Sequence, residues 1–124
     1  MNKAQAIKRF WSGFGIPAYD ETTIPEDPGA QYITFSVSTA SIENVVNLHA
    51  KIWDIGTNSW QFVEEKAEEI ARAISEMDPP SIKIENGRLY IAEGTPFGQR
   101  YQDEGSDTAR CIYINIQAEF LTAY

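Results

Sequence analysis

Cysteine and histidine are almost absent from this 124-residue chain, where Cys111 and His49 are the sole examples. A single cysteine excludes an internal disulfide, and one residue of each kind leaves too few soft ligands for a structural zinc site. Long apolar runs are missing as well, since no stretch approaches the roughly 18 residues that a membrane-spanning helix needs. The opening Met1-Asn2-Lys3-Ala4 leads into an amphipathic segment rather than a uniformly apolar one, so the expectation is a soluble, cytoplasmic protein without a secretory signal. Basic residues are scarce, ten against eighteen acidic ones, for a formal charge of −8. That balance argues against a nucleic-acid-binding surface, which has to neutralise phosphates. Glycine patterns that cradle phosphates, GxxxxGK[ST] and GxGxxG, do not occur, and Gly13 and Gly15 follow a helical stretch rather than a strand.

What the chain does have is a 43% hydrophobic and 12% aromatic composition. At this length that implies one domain over residues 1–124, burying roughly two-thirds of the unfolded chain's surface. Residues 3–12, KAQAIKRFWS, place Ala4, Ile7, Phe10 and Trp11 at helical spacing before Gly13. Residues 16–30 hold three prolines and four carboxylates, and read as an extended surface arm. Ile33, Phe35 and Val37 alternate with polar residues, as do Val46, Leu48, Ala50 and Ile52, which predicts two half-buried strands paired antiparallel. Trp60, Val63, Ala67, Ile70, Ala71 and Ile74 then follow the spacing of a second amphipathic helix, with Asn58 or Ser59 available as its cap.

The segment SIKIENGRLYIAEG carries an Asn86-Gly87 hairpin signal. A type I′ turn there sets Glu85 opposite Arg88, Ile84 opposite Leu89, Lys83 opposite Tyr90 and Ile82 opposite Ile91, with the aliphatics on one face. Residues 94–108 contain three glycines and a proline, which predicts a long mobile loop. The run from Ile112 to Phe120 is the longest alternation, and its strand belongs at the centre of the sheet. The predicted fold is α+β, a mainly antiparallel sheet with helices on one face, in the order α-β-β-α-β-β-β.

Catalytic constellations are not evident. His49 sits among polar strand positions with no paired nucleophile, and Cys111 reads as a small buried hydrophobe. Glu64, Glu65, Glu68 and Glu69 form a solvated helix face, with Glu68 and Arg72 at i,i+4 spacing, and lack the Glu-x-x-His pattern of a di-metal site. Asp103-Glu104-Gly105-Ser106-Asp107 lacks the ligand spacing of a calcium loop. No enzyme activity, metal or cofactor is expected. The face opposite the aliphatics is different: it should present His49, Lys51, Trp53, Tyr90, Tyr113 and Gln117, a mixture of aromatic and polar groups typical of protein interfaces. The alternative is a face covered by the chain's own arm or loop. Candidate oligomer contacts are therefore Trp53, His49, Lys51, Tyr90 and Tyr113 on the sheet, with Phe97, Arg100 and Tyr101 from the 94–108 segment. Parity turns Trp53 outward, whereas periodicity places Trp60 in the core.

The arm IPAYDETTIPEDPGAQYITF and the segment KIWDIGTNSWQFVEEKAEEI, in this order of elements, resemble the tail terminator and tail-completion proteins of long-tailed bacteriophages. That group is typified by the lambda tail terminator, and the likeness is greatest to small versions in prophages of Gram-positive bacteria. The resemblance implies an α+β protein of the virion, made in the host cytoplasm, that forms a ring, typically a hexamer, at the head-proximal end of the tail. Its implied partners are further copies of itself, the tail tube protein and the head connector or neck protein; DNA passes through without specific binding, and no membrane is involved. The acidic charge then has a use, because like charge reduces adhesion of the passing phosphates. A neck or minor capsid adaptor of the same particle is the near alternative, and a small acidic DNA-mimic inhibitor the more distant one. Scattering of the carboxylates over arm, helix and loop weighs against the mimic.

Overall fold

The computed structural model describes residues 1–38, 45–57, 59–76, 81–101 and 109–122. Its elements are α1 (Lys3–Ser12), β1 (Ala18–Asp20), β2 (Gln31–Phe35), β3 (Val45–Ile55), α2 (Gln61–Glu76), β4 (Ser81–Ile84), β5 (Gly87–Tyr101) and β6 (Ala109–Thr122). The α+β class matches the sequence reading, but the order gains a strand. β1, inside the expected arm, pairs parallel to β2 with Tyr19 beside Thr34, which makes the sheet mixed. Three residues are too few to register as a period, so Ala18-Tyr19-Asp20 carries no strand signal of its own.

The six strands run in the order β1-β2-β3-β6-β5-β4. β6 is central, as its length of alternation requires, and pairs antiparallel with β3 from Val45–Glu119 to Ile55–Ala109. Helix α1 starts with a capping box in which Asn2 and Gln5 exchange side-chain and backbone hydrogen bonds. It buries Ala6, Ile7, Phe10 and Trp11, whereas Ala4 is exposed. One face of the sheet, the inner face, packs on both helices through a single cluster that includes Trp11, Ile33, Ile52, Val63, Ile70, Leu89, Ile114 and Phe120. Helix α1 touches β1 and β2 at one side of the sheet and β4 at the other. A flat six-stranded sheet measures roughly 24 Å across, and a ten-residue helix is about 15 Å long, so the sheet curls around α1. The backbone amide of Glu85 donates to the carbonyl of Met1 at 2.8 Å and ties that helix to the β4–β5 turn.

Four expectations are corrected here. The hairpin is shifted: Ile84 pairs with Gly87, Lys83 with Arg88, Ile82 with Leu89 and Ser81 with Tyr90. The turn residues are Glu85 and Asn86, and Asn86 alone takes a positive φ, 62°. Gly87 is already in the strand, where a Cβ would stand 1.9 Å from the carbonyl oxygen of Leu121. Close approach to β6, and not turn geometry, demands that glycine. Arg88 is consequently opposite Lys83 rather than Glu85 and donates from Nε to the Ser81 hydroxyl at 3.2 Å. The shift is two residues, so the aliphatics keep their common face.

Residues 94–101 are strand and not loop. Glu93 pairs with Ile116 and Gly98 with Ile114, so residues 94–97 form a wide bulge opposite Asn115, whose side-chain amide donates to the carbonyl of Pro96 at 2.9 Å. The rest of the expected loop, 102–108, lies outside the described residues, as does Asn58. Val37, expected in a strand, lies beyond β2 and is exposed. On α2, Lys66 rather than Arg72 forms the helix-surface ion pair, with Glu69 at 2.8 Å.

Candidate interaction surface

Strand parity separates the two tryptophans of WDIGTNSWQ. On β3, Leu48, Ala50 and Ile52 are buried on the inner face, so His49, Lys51 and Trp53 project to the outer one. Asp54 has inner parity, is 1% exposed, and accepts from the Thr57 hydroxyl at 2.8 Å. The intervening Gly56 has φ +96°, a conformation that costs an L side chain strain. Ser59 then accepts from the Gln61 amide at the start of α2. Trp60 is half-buried against the core, and the guanidinium of Arg100 lies 4.5 Å from its ring centre. Trp60 thus meets the expected core side of the sheet, with a cationic lid rather than full enclosure.

Trp53 anchors a row of rings that crosses the sheet. Tyr32 on β2 is its cross-strand partner, the two rings stacked at 6.2 Å and 22°. Tyr19 on β1 continues the row, 6.2 Å from Tyr32. On the other side the register runs Trp53–Cys111–Tyr101. Cys111 is buried between the two larger residues, as a small hydrophobe should be, and Tyr101 meets Trp53 edge-on at 6.4 Å. The indole Nε1 of Trp53 donates to the Thr34 hydroxyl at 3.2 Å, which fixes the ring's tilt. Burial among these rings pushes the Tyr32 phenol above its ordinary value of 10.0, with the neighbouring Cys111 adding to the effect.

Polar groups are interleaved with the rings. The Lys51 ammonium lies 4.4 Å from the centre of the Tyr101 ring and 6.0 Å from that of Trp53. Among the described residues it meets no carboxylate. His49 stacks on Tyr113 at 5.4 Å, and its Nε2 is 2.9 Å from a carboxylate oxygen of Glu21, just past β1. Tyr19, Tyr32, His49, Lys51, Trp53 and Tyr113 are half-buried, and Tyr101 is 39% exposed.

Five of the eight candidate residues, His49, Lys51, Trp53, Tyr101 and Tyr113, therefore come together on the outer face. Tyr90 shares that face but pairs with Glu119, eight residues along β6 from Cys111, a separation of about 26 Å. Arg100 and Phe97 are on the inner side. Phe97 packs against the core, and Arg100 donates from Nε to Glu64 of α2 at 2.8 Å. Both line an open groove of about 470 Å³ between α2 and β5, floored by Ala67, Ala71 and Ile112. Sequence reading missed Tyr32 and Tyr19; the alternation of Tyr32 with Thr34 across from Ile33 was the available signal. Among the described residues no group of three or more His, Cys, Asp or Glu side chains is placed to hold a metal.

Fold and face together define a small α+β domain whose helices cover one side of a curled sheet and whose other side carries an aromatic and cationic surface. No family model matches the chain, and no curated protein does. Among solved structures, one whose name carries no function superposes with a TM-score of 0.57 at 12% identity, covering 90% of this chain and 84% of the other. At that identity the likeness is one of fold alone.

Proposed function

We propose that this protein is a structural component of a long-tailed bacteriophage particle, acting at the head–tail junction as a tail terminator. Copies assemble into a ring, a hexamer by the resemblance, on the end of the tail tube, stop its growth and offer a surface to the head connector. The observation that carries the reading is the Tyr19–Tyr32–Trp53–Tyr101 row with Lys51 lying over it. A monomer gains little from leaving such a surface half-exposed, whereas an assembling subunit uses rings of this kind as contact area with a polar handle. The resemblance of the arm and of the KIWDIGTNSWQFVEEKAEEI segment supports the same reading. The charge of −8 suits a lumen through which DNA passes without adhering.

Ring closure by identical subunits needs two different patches on each copy, because head-to-tail contacts are heterologous. The test is electron microscopy of the protein mixed with purified tail tubes, together with its mass in solution. Rings, or tubes capped at one end, are the expected result. Binding to head connectors without capping of tubes would favour the neck adaptor. A strict monomer that leaves tubes uncapped, yet blocks a DNA-binding enzyme in a salt-sensitive way, would favour the acidic mimic.

A further inference from the structure

The segment between β1 and β2 is built as if to be received by something else. Asp20 holds its first turn, accepting from the amide and hydroxyl of Thr22 at 2.9 and 2.8 Å. Asp27 holds its last, accepting from the amide of Gly29 at 3.3 Å, and Ile55 donates to the carbonyl of Ala30 at 2.8 Å. Residues 21–27 between these anchors are all exposed. Ile24 is 43% exposed, an aliphatic side chain left in water on a segment whose two ends are held. Pro25 stiffens the backbone next to it. Glu26 and Asp27 follow, and neither meets a cation among the described residues.

The outer face has the matching deficits. It holds a row of rings where Ile24 and Pro25 lack apolar cover and, among the described residues, Lys51 without a carboxylate where Glu26 and Asp27 lack a cation. A rigid proline-containing strand laid on aromatic rings is a recurrent mode of peptide recognition, because little backbone entropy remains to be lost.

We infer that the 22–27 segment of one copy docks on the outer face of a second copy, Ile24-Pro25 against the Trp53 and Tyr101 rings and Glu26-Asp27 toward Lys51. The inference deepens the ring-forming reading and rests on it. The contact is heterologous: each copy donates an arm at one side and receives one at the other, so it propagates and can close.

A photo-reactive benzoylphenylalanine at position 24 tests this, in an equal mixture of isotopically heavy and light full-length protein, with tail tubes present. Mass spectrometry should find position 24 joined to the peptides holding Trp53 or Tyr101, in heavy–light pairs. Lys51→Glu should cut that yield roughly tenfold or more. Adding Glu26→Lys to the Lys51→Glu chain, which leaves the Asp27 anchor in place, should restore it. All these positions lie on the outer face or the exposed arm, and circular dichroism verifies that each variant is folded. Links confined to heavy–heavy and light–light pairs would overturn the inference in favour of an arm that covers its own face. Links to other elements, or no recovery on charge reversal, would overturn it too. Capping is scored separately on the same grids: heavy–light links without capped tubes would refute the terminator role and leave the contact standing, and capping without those links would do the reverse.

Discussion

Tyr32 and Trp53 are cross-strand partners whose rings stack at 6.2 Å and 22° on the face of the sheet opposite α1 and α2. Trp53→Ala should therefore cost much less than Trp11→Ala. Trp11, on the sheet-facing side of α1, is wholly buried, and its truncation should cost about 3–5 kcal/mol. Trp53 is half-buried, so about 1–2 kcal/mol is expected from its lost ring contacts. Urea unfolding of the two variants measures the difference, and tube capping by the folded Trp53→Ala protein should be impaired. Equal destabilisation with capping intact would place Trp53 in the structural core.

Gly87→Ala should be among the costliest small substitutions. The added methyl meets backbone of Leu121 and Thr122, which belongs to the central strand and cannot swing aside as a side chain would. Overpacking of this kind costs about 1–3 kcal/mol. Asn86→Gly, in the turn itself, should be within about 0.5 kcal/mol of neutral, since φ 62° suits glycine as well as asparagine. Reversal of this ranking in thermal melts would restore Asn86-Gly87 as the turn pair.

Arg100 serves two partners, Glu64 and the Trp60 ring. Glu64→Ala should cost only about 0.2–1 kcal/mol, because the ion pair is exposed on both sides. Arg100→Ala should cost more, as the cation over the indole is lost as well. A double-mutant cycle for Glu64 and Arg100 separates the ion pair from the stack.

Two groups define opposite pH limbs. The Thr22 amide and, secondarily, its hydroxyl hold the Asp20 carboxyl below its ordinary 3.8. Its contribution is present above that value and is lost as pH falls through the lowered folded value. Tyr32 behaves in reverse: its contribution is present below pH 10 and disappears as pH rises through the raised value. Asp20→Asn should flatten the acid limb slightly, given the exposure of that turn, and Tyr32→Phe the alkaline limb. Stability measured against pH for the parent and both variants checks the assignment.

Much of this architecture can be read from alternation and periodicity. α1 spans the residues that its spacing indicates, and β6 has the central place that the Ile112–Phe120 alternation indicates. Parity also places His49, Lys51, Trp53 and Tyr113 together. The failures share a cause, which is that the deciding contact lies far away in the chain. Gly87 looks like a turn residue until Leu121 arrives beside it. Gly94-Thr95-Pro96 looks like a loop because its glycine and proline are breakers, yet β6 supplies a partner strand that absorbs them as a bulge. Arg100 and Phe97 read as loop contacts for want of a register, and that bulge decides that they take the inner side. β1 pairs through only three residues, so no local pattern could announce it.

The reach of α1 from one side of the sheet to the other has a consequence for the order in which the protein is made. The helix leaves the ribosome before every strand of the sheet, but its seat includes β4, and Met1 is held by Glu85, more than eighty residues later. β3 likewise waits for β6 across more than fifty residues of chain. Until then the Ile7, Phe10 and Trp11 face has no complete partner and stays sticky. Folding with so many distant pairings is slow compared with that of a helical bundle of equal size, and the residues of α1, made before the sheet, are among the last to be buried.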